Sequence, residues 1–250
     1  MMKLKLFFFL LSAFLSAQNF VYVVYEYRRM YDPKIMDYLL ISNEGQTYFY
    51  NYNTDEKDYE KLLISFNGRF QLQPSKIDRL KGKIYQLKTI KQKKDFQKII
   101  AVENQIPFDW KIENEYTQLM GMKVQKAITH FRGRDWTVWF ASEIPLNIGP
   151  WKLGGLPGLI LKAESDFHSY TAVYINLNEP QERFPAEVKH FFDDKIPTAV
   201  SLYEAIEGEN EFIKYLNSLS ATDIPEGSVM IPNENIRQHD LEVVFEWESN

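Results

Sequence analysis

The chain has 250 residues, with 29 Lys and Arg against 34 Asp and Glu, a formal net charge of −5 and no cysteine. That composition excludes disulfides, thiolate catalysis and zinc–thiolate sites. An acidic chain without a recognisable binding module also argues against nucleic acid as a partner.

Lys3 and Lys5 precede an apolar run, Leu6 to Leu15, and Ser16-Ala17 supplies small residues before Gln18. This is the three-part pattern of a secretory signal peptide over residues 1–17, with a short N-terminal anchor as the alternative. No cysteine follows the run, so a lipoprotein is not expected. No later segment approaches the ~20 apolar residues of a membrane helix. The expectation is an exported protein, not integral to a membrane, in the periplasm or associated with the outer membrane. Residues 18–250 are read as a single β-rich domain. Removing the two leader lysines moves the net charge from −5 to −7.

Phe20–Met30 alternates as a strand, with Val21, Val23, Tyr25 and Tyr27 against Tyr22, Val24, Glu26 and Arg28. Asp37–Ile41 and Thr47–Tyr52 flank Ser-Asn-Glu-Gly as a hairpin. Asn67-Gly68 marks another, between Ile64–Phe66 and Arg69–Leu72. The stretch from Lys76 to Lys98 holds nine Lys or Arg against Asp78 and Asp95. It reads as a weakly structured, solvated strip, or as a docking strip for anionic headgroups or an acidic partner. Strands resume near Gln97–Val102 and Phe108–Ile112, then at Met122–Phe131, Arg134–Phe140, Leu159–Glu164 and Tyr170–Leu177. Leu241–Trp247 alternates near the end of the sequence. Spacings of roughly ten residues predict an antiparallel meander rather than βαβ units.

A helical insertion is expected at about 185–220. Pro185–Phe192 reads as one helix, and Ser201-Leu-Tyr-Glu204 is a capping box. Apolar residues Leu202, Ala205, Ile206, Phe212, Ile213, Leu216 and Leu219 follow helical spacing, with Gly208 dividing two short helices. From Glu179 onward sixteen acids face five bases, an acidic face. The fold class predicted is mainly β: a curved antiparallel sheet or half-open barrel with a short helical insertion.

Four of the 11 glycines and two of the 11 prolines fall in Gly149–Leu161. Gly149-Pro150-Trp151 opens a loop that continues through Gly154 and Gly155. Leu156-Pro157-Gly158 fits a type II turn, Gly158 supplying positive φ. These six Gly and Pro residues are read as turn-forming. Gly133, between two strand-like runs, reads as a hairpin tip. The stretch FRGRDWTVWFASEIPLNIGPWKLGGLPGLIL resembles the signature of the GLPGLI family of exported Bacteroidota proteins. The likeness covers about fifty residues from Trp110 into the strand after Leu161, within a signature region of about 110–177. Relatives carry a cysteine where Val124 stands here, so a thiol role is absent. The family has no established activity and implies no catalytic residues.

A phosphate loop needs glycines running into a helix with Lys-Ser/Thr behind them, whereas Lys152 precedes the glycines and a strand follows. His130, His168, His190 and His239 show no metal-ligand spacing, so no metal and no cofactor is expected. Ser165-Asp166-Phe167-His168 gathers triad residue types, but a turn explains it better. Catalytic residues stay unassigned. Trp136 and Trp139, three apart in a strand, should face opposite sides, one of them core. The binding surface expected is an exposed rim: Trp151, Lys152, Arg134, Trp136 and Arg132, with Glu143 and Tyr170 nearby. It would suit a lipidic or peptidic ligand or an outer-membrane protein partner. A non-enzymatic envelope binding or accessory protein is the leading reading. A hydrolase using carboxylates or His, or a structural envelope subunit, is the alternative.

Overall fold

The computed structural model describes residues 19–32, 35–43, 45–51, 74–92, 95–222 and 237–248. Twelve strands of these residues form one sheet. They are β1 (Phe20–Arg29), β2 (Ile35–Asn43), β3 (Gln46–Asn51), β4 (Ser75–Asp78), β5 (Lys83–Gln92) and β6 (Asp95–Asn104). β7 (Lys111–Leu119), β8 (Met122–Phe131), β9 (Arg134–Ala141), β10 (Leu159–Glu164), β11 (His168–Glu179) and β12 (Val200–Ser201) complete it. Their order is β12-β6-β5-β4-β3-β2-β1-β11-β10-β9-β8-β7. Neighbours are antiparallel except β12 on β6. The sheet is open, and the β-rich fold class expected from the sequence is what the molecule has. Among the described residues no helix is long and apolar enough to cross a membrane.

Two faces of β1 feed two cores. Val23, Tyr25 and Tyr27 join Tyr38, Phe49, Trp136, Trp151 and Tyr170 on one side. Phe20, Tyr22 and Val24 join Leu39, Tyr48, Tyr50, Val188 and Phe192 on the other. The helix α1 (Ala186–Lys195) covers that second side, and α2 (Leu202–Thr222) packs on β5 and β6. A strand buried on both faces must be apolar at successive positions, which explains the Val-Tyr run of β1.

The sheet is strongly rolled. In a flat sheet β6 and β9, eight strand spacings apart in the order given, would lie about 40 Å from each other. Yet Glu103, in β6, reaches Arg132, in the β8–β9 turn, at 2.7 Å. Among the described residues the edge strands β12 and β7 do not pair with each other; side chains of β6 and the β8–β9 turn meet across the roll instead.

Several expectations need correction. The Lys76–Lys98 stretch is not weakly structured but forms β4, β5 and the first part of β6. Lys76 and Lys88 are buried and pair with Asp193 at 3.3 Å and Glu209 at 3.0 Å, so the acidic helices neutralise part of the basic strip. Residues 241–245 belong to no strand, and 246–248 form a 3₁₀ turn. α2 runs unbroken through Gly208, where a β-carbon would meet Ile90 at 2.9 Å; the glycine permits close helix–sheet contact. The expected strand at 108–112 begins only at Lys111. The Asn67-Gly68 hairpin lies outside the described residues. The other predicted strands appear, and the capping box forms as read: the Glu204 amide donates to Ser201 Oγ at 3.2 Å, the Ser201 amide to Glu204 Oε2 at 3.0 Å.

Candidate functional site

The glycine-rich segment folds back across the end of β9. Ile148 and Gly154 form a bridge, the Leu159 amide donates to the Ile144 carbonyl at 3.0 Å, and the Leu153 amide to the Pro150 carbonyl at 3.1 Å. The left-handed residues of this loop are Trp151 (φ 56°) and Gly155 (φ 85°), not Gly158. Gly158 is required for another reason. A β-carbon there would sit 2.3 Å from the Ala141 carbonyl oxygen. The Trp110 indole donates to the Gly154 carbonyl at 2.9 Å and pins the loop from outside.

The turn at the β8–β9 tip has positive φ at both Arg132 (47°) and Gly133 (81°), the geometry of a type I′ hairpin. A non-glycine residue is strained there. Its side chain is over-determined by charge. Arg132 Nη2 donates to Glu103 Oε2 at 2.7 Å, Nε donates to Glu246 Oε1 at 2.9 Å, and Nη1 contacts Glu242. Lys152 Nζ contacts Glu103 and donates to Glu242 Oε1 at 2.6 Å. Arg132, Lys152, Glu103 and Glu242 are all at least nine-tenths buried as side chains. Burial by itself would raise the Glu242 carboxyl, but Lys152 and Arg132 override it and hold it down at about 2.

Residues 237–248 thus form a strap held against the rolled sheet. Arg134 Nε donates to the Asp240 carbonyl and Nη2 to the Gln238 carbonyl, both at 2.6 Å, while Nη1 donates to Asp166 at 2.5 Å. Arg29 Nη2 donates to the His239 carbonyl at 2.7 Å. The Arg132 carbonyl accepts from Val243 and Val244 at 2.9 and 3.2 Å.

Beneath the strap lies a cavity of about 170 Å³. Its walls include Tyr27, Tyr38, Phe49, Trp151, His168 and Tyr170, with Arg29, Lys88, Glu209, Arg237 and Asp240 also contributing. Tyr27 Oη lies 2.7 Å from His168 Nδ1. The His168 ring lies nearly parallel to those of Tyr27 and Trp136, with centroids 5.9 and 6.4 Å away. Burial, then the Arg134 charge, lowers the His168 pKa to about 4, with the Asp240 backbone acting the other way. Burial raises Tyr27 to about 12. Burial also raises Asp240, opposed by Lys88 and reinforced by Glu209.

The exposed rim expected of Trp151, Lys152, Arg134, Trp136 and Arg132 is not found: all five are buried. Trp136 is core and Trp139 half-buried, as their spacing requires. The structure nonetheless brings the five together. Trp136 stacks on Trp151 at 5.7 Å, Arg132 and Lys152 share Glu103 and Glu242, and Arg134 grips the strap. Ser165 Oγ accepts from the His168 amide at 3.2 Å within the β10–β11 turn, so Ser-Asp-Phe-His is a turn and not a triad. Among the described residues no group of three or more His, Asp or Glu could hold a metal. Sequence reasoning missed Glu103, Glu242 and the Tyr27–His168 pair. No local spacing relates them; the aromatic alternation of β1 was the one usable signal.

A family model described as "Protein of unknown function (Porph_ging)" matches residues 83–162, from β5 into β10. No curated protein matches the sequence. Two solved structures are similar, described as "Structure of PNGF-II in P21 space group" and "Structure of PNGF-II in C2 space group". They align with TM-scores of 0.49 and 0.48, each at 19% identity over 67% of this chain and 30% of theirs. The sequence therefore spans under a third of the length of those proteins.

Proposed function

We propose that the protein is a non-enzymatic binding protein of the GLPGLI type, exported and working in the periplasm or against the outer membrane. Its ligand sits in the cavity beneath the strap. The observation that carries this reading is the cavity itself: about 170 Å³, half open to solvent, between an aromatic wall and a strap fixed by buried ion pairs. A volume of that order holds about one benzene ring, so the site suits the compact end of a ligand rather than a whole acyl chain. A peptidic ligand or the headgroup end of a lipidic one fits that size. The signature loop contributes Trp151 to the wall and Lys152 to the clamp.

The test is native mass spectrometry of the full-length protein purified from its own cell envelopes. The expected result is a co-purifying small molecule or partner protein, lost when Met36→Trp fills the cavity. Recovery of nothing overturns the reading. Recovery of a ligand that the pure protein then cleaves would favour the hydrolase alternative, for which Asp240 beside Glu209 is the pair to examine.

A further inference from the structure

We propose that the turn between β1 and β2 inserts into the interfacial layer of a lipid bilayer and so brings the open side of the cavity to a membrane surface. This goes beyond the binding reading above and does not depend on what the cavity holds. Three large apolar residues stand in solvent around this turn: Met30 is 51% exposed, Tyr31 88% and Ile35 47%. Tyr31 is the most exposed large hydrophobic residue among those described. Single apolar residues on a surface need no explanation, but three within six positions form a patch.

The turn is also fixed and strained. The Asp32 amide donates to the Arg29 carbonyl at 3.1 Å, and the Met30 amide to the Phe167 carbonyl at 2.9 Å. Tyr31 sits at φ 67°, in the left-handed region that glycine takes freely and a bulky side chain takes at a cost. Packing does not offset that cost, because the ring is nearly all in solvent. A strained residue that the core does not use points to a role outside the fold.

Size and chemistry select the occupant. Together the three side chains present roughly 400 Å² of mostly apolar surface. That is about half of the ~800 Å² per partner that a stable protein interface uses. A bilayer needs no complementary partner surface, and its interface favours tyrosine, with the ring among the chains and the hydroxyl among the headgroups. Glu26 and Asp32 balance Arg28 and Arg29 in charge. Arg28 lies 3.3 Å from Glu26, and Arg29 grips the strap at the His239 carbonyl. The attraction is therefore apolar insertion rather than headgroup charge. Asp32 and Met36, next to Tyr31 and Ile35 in the chain, line the cavity, and Asp32 is itself exposed. The patch thus borders the open side of the cavity, and insertion turns that side to the bilayer.

The chain has no cysteine, so a single introduced one carries a fluorophore to a chosen site. Protein purified from its own cell envelopes, with an environment-sensitive dye on Met30→Cys or on Lys81→Cys in the β4–β5 turn, is titrated with neutral phosphatidylcholine vesicles. The dye at position 30 should brighten and shift to the blue on entering the bilayer, and the dye at position 81 should not. In vesicle co-sedimentation Tyr31→Asn and Ile35→Ser should each weaken binding about tenfold. Asparagine tolerates the left-handed backbone, so Tyr31→Asn should leave Tm unchanged or higher. Met36→Trp should bind vesicles like wild type, so this proposal and the cavity reading fail separately. A silent dye at position 30, equal responses at both positions, binding only to anionic vesicles, or variants that bind like wild type would each overturn the proposal. A lowered Tm in Tyr31→Asn would overturn it too, by making the ring structural. An envelope protein that co-purifies with wild type but not with Tyr31→Asn, in the absence of vesicle binding, would assign the patch to a protein partner instead.

Discussion

His168 shows how one buried ring makes a pH-dependent fold. The unfolded chain holds its imidazole near the ordinary value of 6.5, whereas burial and Arg134 lower the folded value to about 4. Between those values the unfolded state takes a proton that the folded state refuses. The contribution is therefore complete above pH 6.5 and is lost as pH falls toward 4, by up to about 3 kcal/mol. Thermal melts from pH 7.5 to 4.5 should show a falling Tm whose slope flattens in His168→Gln. An unchanged slope in the variant would sink this account. Arg132 makes a related point by strain. Its backbone adopts φ 47°, which an arginine does not choose, and three carboxylates hold it there.

At the scale of elements, two glycines of the signature loop are needed for different reasons, and substitution separates them. Gly155 has φ 85°, and the Trp110 indole, 4.0 Å from where a β-carbon would stand, is its nearest neighbour. Gly155→Ala should cost about 1 kcal/mol, as a left-handed alanine does. Gly158→Ala would drive a methyl into the Ala141 backbone and should cost on the order of 3 kcal/mol or more. Urea midpoints of the two variants check the order, and equal losses would show that the contact relaxes. The contrast also shows how much was legible beforehand. Strand alternation, the Gly133 hairpin and the Ser201–Glu204 capping box are local, and local chemistry decided them. The C-terminal alternation at Leu241–Trp247 misled, because Glu242 and Phe245 turn inward, three apart, to meet Arg132 and the face of α2. The five residues expected on one rim do come together, but inside the molecule and not on its surface. Arg132 and Lys152 are buried by Glu103 and Glu242, and partners that distant in sequence leave no spacing to read.

For the molecule as a whole, the buried ion cluster does what hydrogen bonds do in a closed barrel. It ties β6, the β8–β9 turn, the signature loop and the strap at one point. Removing one charge leaves the others buried and unmatched, which is costlier than removing the set. Glu242→Gln should cost about 3–5 kcal/mol and make the strap more sensitive to protease. A variant with wild-type Tm and cleavage rate would show that the strap is held by its backbone contacts to Arg134, Arg29 and the Arg132 carbonyl.

The position of β1 has a consequence for how such a molecule comes into being. The first strand lies near the middle of the sheet, with β2 on one side and β11 on the other, Phe20 opposite Glu179. One of its partners is the neighbouring hairpin arm; the other is made more than a hundred residues later. Contacts of such long sequence separation slow folding, because the loop must close before the pairing stabilises anything. Until β11 is available, one flank of the Val-Tyr strand is an unpaired, apolar edge, the kind that seeks other chains. The nascent protein therefore has its greatest hazard of misassociation at its centre, and the late arrival of β11 ends it.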